Sequence, residues 1–144
     1  MTTLRPFLAL TALTFTSLAA DWPQFRGPDS TGTADAQIPA APKIEWSAPL
    51  PGRGLASPIV VGDRVFITAS SGPKQERLHV LCFSTADGSK LWERQLHATG
   101  RTMAHPKTAV AACTPCSDGQ RVFALWSCND LAAFDLDEIG RAHV

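Results

Sequence analysis

The sequence predicts an all-β protein, a fragment of a β-propeller in which about two four-stranded antiparallel blades are present. Two observations support this prediction, a repeated phrase and a recurring tryptophan. The phrase SPIVVGDRVF at residues 57–66 returns as TPCSDGQRVF at residues 114–123, which is 57 positions later. Trp46 and Trp92 each precede a leucine by four residues and stand 46 residues apart. A period in the forties on short β segments is typical of a blade array.

Residues 1–20 are expected to form a signal peptide. A single positive charge at Arg5 precedes an apolar stretch that ends near Leu18 in small residues, which is the order of a secretory signal. A transmembrane anchor is the alternative, but the stretch is shorter than the roughly 20 apolar residues that a bilayer requires. Asp21 follows, where a lipoprotein would have cysteine. We therefore expect a periplasmic or secreted protein without a stable membrane anchor.

The mature chain is expected to contain a strap and part of a propeller. Short runs rich in Val, Ile, Phe and Leu alternate with turns that contain Gly and Asp, the pattern of antiparallel hairpins. The predicted segments are an N-terminal strap at 21–43 and a partial propeller at 44–137. Within the propeller we expect the last strand of a preceding blade at 44–50, a whole blade at 57–96 and three strands of the next blade at 109–137.

The repeat tryptophans are predicted to dock neighbouring blades. A blade cannot bury both of its faces alone, and a tryptophan at the edge of a blade supplies a large apolar ring and an indole N–H. Trp46 and Trp92 occupy the repeat position, whereas Trp22 and Trp126 do not. Replacing Trp92 by alanine is therefore expected to be more destabilising than replacing Trp126.

The last seven residues, EIGRAHV at 138–144, depart from the repeat, which calls for glycine and a tryptophan strand at this point. They match the translation of a common sequencing adapter, so we expect a non-native tail. A genuine, atypical C-terminus is the alternative, although it would leave an open sheet edge where a fourth strand belongs.

The C-x-x-C pair and His79 are predicted to be structural. Cys113 and Cys116 form a C-x-x-C pair, and Cys82 and Cys128 stand apart from it. No histidine follows the pair, as haem attachment requires, and no second pair completes a zinc site. Both cysteines of the pair fall on one predicted strand and point to opposite faces of it, so we expect small buried residues; a redox role is the alternative. His79 lies on a predicted strand and is expected to be a satisfied structural histidine.

The best candidate for a binding site is the segment HATGRTMAHPKT at residues 97–108. It links two predicted blades, and loops at the rim of a rigid scaffold often contain binding groups. Arg101, His105 and Lys107 could bind an anionic ligand, with a solvated connector as the alternative. Over the whole chain 13 basic and 13 acidic residues cancel, so nucleic acid is not an expected partner. No catalytic, cofactor-binding or metal-binding residue is predicted.

The phrases SPIVVGDRVF and DGSKLWE resemble the PQQ-like β-propeller repeat, which is named after quinoprotein dehydrogenases. The opening of the mature chain, DWPQFRGPDSTGTA, resembles the strap of exported bacterial members of that family. The resemblance covers residues 22–137 and implies the propeller fold. It does not specify a function, because many members bind no quinone, including outer-membrane assembly lipoproteins.

The quinoproteins of this family use a Ca²⁺ site of Glu, Asn and Asp side chains, a base Asp and a disulfide between adjacent cysteines. This sequence contains no adjacent cysteines, and Asn129 is its only asparagine. No cofactor is therefore expected. We expect an exported binding or scaffold module that recognises an unknown protein or small-molecule ligand without intrinsic catalysis. The alternative is a PQQ-dependent dehydrogenase whose site lies in blades that are not present.

Overall fold

The computed structural model describes residues 21–35 and 39–137, so the predicted signal peptide and the predicted tail lie outside the described residues. Within those ranges the chain is all-β, without a helix, and no segment has the length and apolar character of a membrane-spanning helix. The first sheet contains β1 (Ile59–Val61), β2 (Arg64–Ser71), β3 (Arg77–Ser84) and β4 (Lys90–His97). The second contains β5 (Cys116–Ser117), β6 (Arg121–Leu125) and β7 (Leu131–Asp135).

Both sheets are antiparallel meanders, in the spatial orders β1-β2-β3-β4 and β5-β6-β7. The predicted whole blade and the three strands of the next blade are thus confirmed. The repeated phrase also gives both blades the same register. Ile59 pairs with Phe66 in the first blade, and Cys116 pairs with Phe123 in the second.

Each of these hairpins turns at a glycine with a positive φ angle, 58° at Gly62 and 86° at Gly119. A Cβ atom at either glycine would meet no atom within 4 Å. The requirement for glycine therefore comes from the left-handed backbone, which a side chain disfavours, and not from crowding.

One hydrophobic core joins the two blades. It contains side chains from the facing surfaces of both sheets, among them Phe66, Leu78, Val80, Trp92, Val122, Trp126 and Phe134. The Trp92 ring packs between two phenylalanine rings, with centroid distances of 5.7 Å to Phe66 and 6.3 Å to Phe134. Because those rings belong to different blades, Trp92 links them as predicted.

The two repeat tryptophans make equivalent hydrogen bonds. The indole N–H of Trp92 donates to the carbonyl of Leu136 at 3.1 Å, and that of Trp46 donates to the carbonyl of Thr85 at 3.0 Å. Each carbonyl lies two residues after the phenylalanine of its repeat, at Phe83 or Phe134 in the sequence. Trp46 therefore contacts the first blade as Trp92 contacts the second.

Residues 44–50, by contrast, do not form the predicted strand. A strand needs a neighbour with which its backbone groups can pair, and none lies beside this segment within the described ranges. The segment instead packs against the outer face of the first blade, that is, the face turned away from the core shared with the second blade. There Ala48 and Leu50 contact a small apolar cluster that includes Leu81 and Phe83.

The first residues of the predicted strap connect the inner edges of the two blades. Trp22 exchanges two backbone hydrogen bonds with Val60 of β1, at 2.8 and 3.0 Å. The carbonyl of the next residue, Pro23, accepts a hydrogen bond of 2.8 Å from the N–H of Ser117 in β5. This segment thus pairs with strands of both sheets.

None of the four cysteines, all of which lie in the described ranges, forms a disulfide, and they differ in exposure. Cys82 and Cys128 are buried. The prediction of buried residues is wrong for the C-x-x-C pair, because Cys116 is exposed at the start of β5 and Cys113 lies before the strand and is only partly buried. The two do not share a strand because β5 is only two residues long.

Candidate binding cleft

An open cleft of about 590 Å³ lies between the turn that joins β2 to β3 and the connector, the segment at residues 98–115 that leads from the first blade to the second. Both segments belong to the same end of the blades. The lining residues are Pro73, Lys74 and Gln75 of the turn and Gly100, Arg101, Thr102, Met103 and Ala104 of the connector.

Asp130, in the turn between β6 and β7, anchors the start of the connector. Its carboxylate oxygens accept the backbone N–H of Thr99 at 3.0 and 3.2 Å, and one of them also accepts the Thr99 hydroxyl. Burial disfavours the ionised form, but hydrogen bonds from the Cys128 thiol and from Thr99 outweigh it and hold the pKa of Asp130 below its usual range. A charged carboxylate therefore fixes this wall of the cleft.

Gly100 follows directly and passes close to the carbonyl of Cys128, which leaves no room for a side chain at this position. Burial, and then the hydrogen bond to Asp130, raise the pKa of the Cys128 thiol. The thiol is thus buried and protonated, a state that suits packing and not nucleophilic chemistry.

Gln75 positions the other wall of the cleft. Its backbone has a φ angle of 58°, and its N–H donates to the carbonyl of Gly72 at 3.0 Å. Its side-chain oxygen accepts the hydroxyl of Ser70 at 2.9 Å and the N–H of Val110 in the connector at 3.0 Å. This side chain therefore links the turn to the connector.

The cleft unites only some of the predicted site residues. Arg101 lines it together with Lys74, and the Arg101 guanidinium contacts the Met103 sulfur at 3.2 Å. His105 and Lys107 do not line the cleft. They form a local turn instead, in which the His105 ring nitrogen Nδ1 accepts the N–H of Lys107 at 3.2 Å. The predicted set of three cationic residues is therefore divided.

Sequence reasoning missed Lys74 and Gln75. The phrase GPKQE at residues 72–76 lies between two predicted strands, and such a turn must reach the same end of the blade as the link to the next blade. That topological relation was the available signal. It cannot show which side chains face each other, because this depends on the path of the connector.

His79 is enclosed in a polar row on the outer face of the first blade. One ring nitrogen lies 2.8 Å from the Ser71 hydroxyl, and the other lies 2.9 Å from a Glu93 carboxylate oxygen. The Lys90 ammonium, and to a lesser degree the His79 ring, hold the pKa of Glu93 below its usual range against the effect of burial. The prediction of a satisfied structural histidine is confirmed.

The order Ser71, His79, Glu93 has the form of a nucleophile, a base and an orienting acid. However, His79 is only 3 % exposed. The backbone at Gly52 also lies close to Ser71, since a Cβ atom added at Gly52 would be 2.8 Å from the Ser71 Cβ. This row therefore links β2, β3 and β4, and both ring nitrogens of His79 are occupied within the protein.

Comparisons with known proteins identify one family. The protein-family model described as "Outer membrane protein assembly factor BamB" matches residues 35–140, which is more than half of the chain. No curated protein and no solved structure matches the chain. Within the described ranges, no group of three or more His, Cys, Asp and Glu side chains could hold a metal ion.

Proposed function

This chain belongs to the PQQ-like repeat family of the outer membrane protein assembly factor BamB, and from that premise we propose that it is an exported β-propeller protein that binds a partner without catalysis of its own. The observation that favours binding is the cleft between the Lys74 turn and the connector, which is open and is held by Gln75 and Asp130. Binding groups on a rigid scaffold are the usual arrangement of a recognition site.

The absence of catalysis is supported by where three of the reactive side chains lie. The Cys128 thiol, the His79 ring and the Asp130 carboxylate are all buried, and each is occupied by hydrogen bonds within the protein. The rival function is a PQQ-dependent dehydrogenase. Calorimetric titration with PQQ and Ca²⁺ distinguishes the two, and micromolar binding of PQQ would favour the dehydrogenase.

Export to the periplasm is part of the proposal and is based on residues 1–20. In a Gram-negative host we expect the mature protein to begin at Ala20 or Asp21. N-terminal sequencing that finds Met1 or Thr2 on a cytoplasmic product would contradict export.

Photo-crosslinking in the producing cell tests the binding role directly. A photoreactive amino acid replaces Met103, which lines the cleft and is 77 % exposed, and in a second variant it replaces Ala86, which is exposed at the other end of the first blade. We expect a discrete crosslinked species from position 103 and none from position 86. Equal labelling from both positions, or none from either, would contradict a partner in the cleft.

A further inference from the structure

The two ends of the blades differ in charge, although the chain as a whole is neutral. We call the end with the turns β1–β2, β3–β4 and β5–β6 the aspartate end, and the end with the cleft the connector end. The ion pair between Arg64 and Asp137 shows that both blades share the aspartate end. The aspartates in these turns and after β7 are Asp63, Asp87, Asp118 and Asp137.

The cations at the aspartate end are already neutralised by neighbours. Arg64 pairs with Asp137, and Arg121 pairs with Asp118 at 3.4 Å. Lys90, at the start of β4, pairs with Glu93 at 2.6 Å. These side chains therefore offer little unbalanced positive charge to a ligand.

At the connector end the cations of the cleft are not neutralised. Neither Lys74 nor Arg101 makes an ion pair with any residue of the described ranges. The acids at this end are Glu76 and Asp130. Backbone N–H groups of Glu76 itself and of Lys74 hold the pKa of the Glu76 carboxyl below its usual range, while Asp130 is buried beneath the connector.

The cleft combines this charge with apolar surface. Pro73, Met103 and Ala104 line it beside the two cations, and Met103 is one of the large apolar side chains that the fold leaves exposed. Methionine adapts its shape to different apolar partners. A free phosphate would use the cations alone, whereas a peptide that alternates carboxylates with apolar side chains would use both features.

We propose, on the basis of the binding role inferred above, that the cleft recognises an acidic peptide segment of a protein partner. Lys74 and Arg101 pair with carboxylates of the segment, and Met103 and Pro73 contact its apolar side chains. The aspartate end repels the same segment, so that the charge separation orients the partner as it approaches.

The test measures the fluorescence anisotropy of a fluorescein-labelled peptide of alternating glutamate and leucine, titrated with the full chain. The variant Lys74→Gln/Arg101→Gln removes both cations of the cleft. The matched control, Lys43→Gln/Lys107→Gln, removes the same charge from exposed positions that do not line the cleft. Because an exposed ion pair contributes up to about 1 kcal/mol, we expect the cleft variant to raise Kd roughly five- to tenfold and the control to leave it unchanged. Added salt should weaken binding to the unaltered protein.

Other outcomes would overturn the inference. Equal weakening in both variants, or equal affinity for a peptide of alternating lysine and leucine, would show that the cleft does not select acidic segments. Binding to phosphatidylglycerol vesicles that depends on Lys74 and Arg101, without peptide binding, would assign the site to a membrane. If the peptide fails to bind while crosslinking from position 103 persists, this inference fails and the proposed function stands; if both are absent, both fail.

Discussion

At the residue scale, burial and the repeat pattern give different expectations for how much Trp92 and Trp126 contribute to stability. The repeat places Trp126 outside the docking position and so predicts a smaller role for it. In the structure Trp126 is 1 % exposed and Trp92 is 6 % exposed, and both belong to the core that joins the blades. We therefore expect alanine at either position to cost about 3–5 kcal/mol of unfolding free energy, as for other buried aromatic side chains.

Phenylalanine substitutions should separate the two tryptophans. Trp92→Phe loses the hydrogen bond to the carbonyl of Leu136, whereas the Trp126 indole N–H is buried and has no partner among the described residues. Because a buried hydrogen bond contributes about 1 kcal/mol, Trp92→Phe should cost about that much more than Trp126→Phe. Urea unfolding followed by circular dichroism measures both, and equal losses would contradict a role for the Leu136 bond.

At the element scale, the connector depends on a charged group from another turn. The folded state holds the pKa of Asp130 below its ordinary value of 3.8. A depressed pKa means that the carboxylate stabilises the fold above about pH 4 and that this stabilisation is lost as pH falls through the lower, folded-state value. Acid should therefore loosen the anchorage of Thr99 to Asp130.

Replacing Asp130 by asparagine should remove part of this acid dependence. We expect Asp130→Asn to lower the melting temperature near neutral pH. The difference from the unaltered protein should shrink as the pH falls through the lowered pKa of Asp130, because the carboxyl is then protonated and uncharged like the amide. Asp29→Asn, at an exposed position of the strap, is the matched control. Thermal unfolding over this pH range tests the expectation, and parallel curves for the two proteins would contradict it.

At the scale of the whole molecule, the two sheets share one core, so substitutions in one sheet should be energetically coupled to substitutions in the other. Trp92 of the first blade and Phe134 of the second are in ring contact at 6.3 Å. In a double-mutant cycle, Trp92→Ala and Phe134→Ala should be non-additive by at least about 0.5 kcal/mol, as is usual for side chains in contact. Leu81, which packs in the cluster on the outer face of the first blade, provides the control.

The cycle of Leu81→Ala with Phe134→Ala should be close to additive, because these side chains belong to separate clusters. Urea unfolding of the single and double variants gives the coupling free energies. Equal coupling in both cycles would show that the effect spreads through general destabilisation and not through the contact between Trp92 and Phe134.

The sequence by itself determined the strands within the two blades, their antiparallel order and the common register of the blades, although it wrongly placed a further strand at residues 44–50. These features depend on local signals, namely the alternation of apolar residues and glycines such as Gly62 that a hairpin turn requires. The repeated ten-residue sequence therefore forms the same hairpin in both blades. The repeat position likewise identified Trp92, because neighbouring repeats must cover each other's hydrophobic faces and a tryptophan supplies a large apolar ring for this contact.

Only the tertiary structure decided which side chains meet. Arg101 came beside Lys74, and not beside His105 and Lys107, because Asp130 and Gln75 hold the connector against turns that are distant in the sequence. Contacts of this kind depend on how the backbone travels between sheets, which no local pattern encodes. The sequence placed the segment at residues 97–108 between the two blades, but the positions of the cations within the cleft followed from packing.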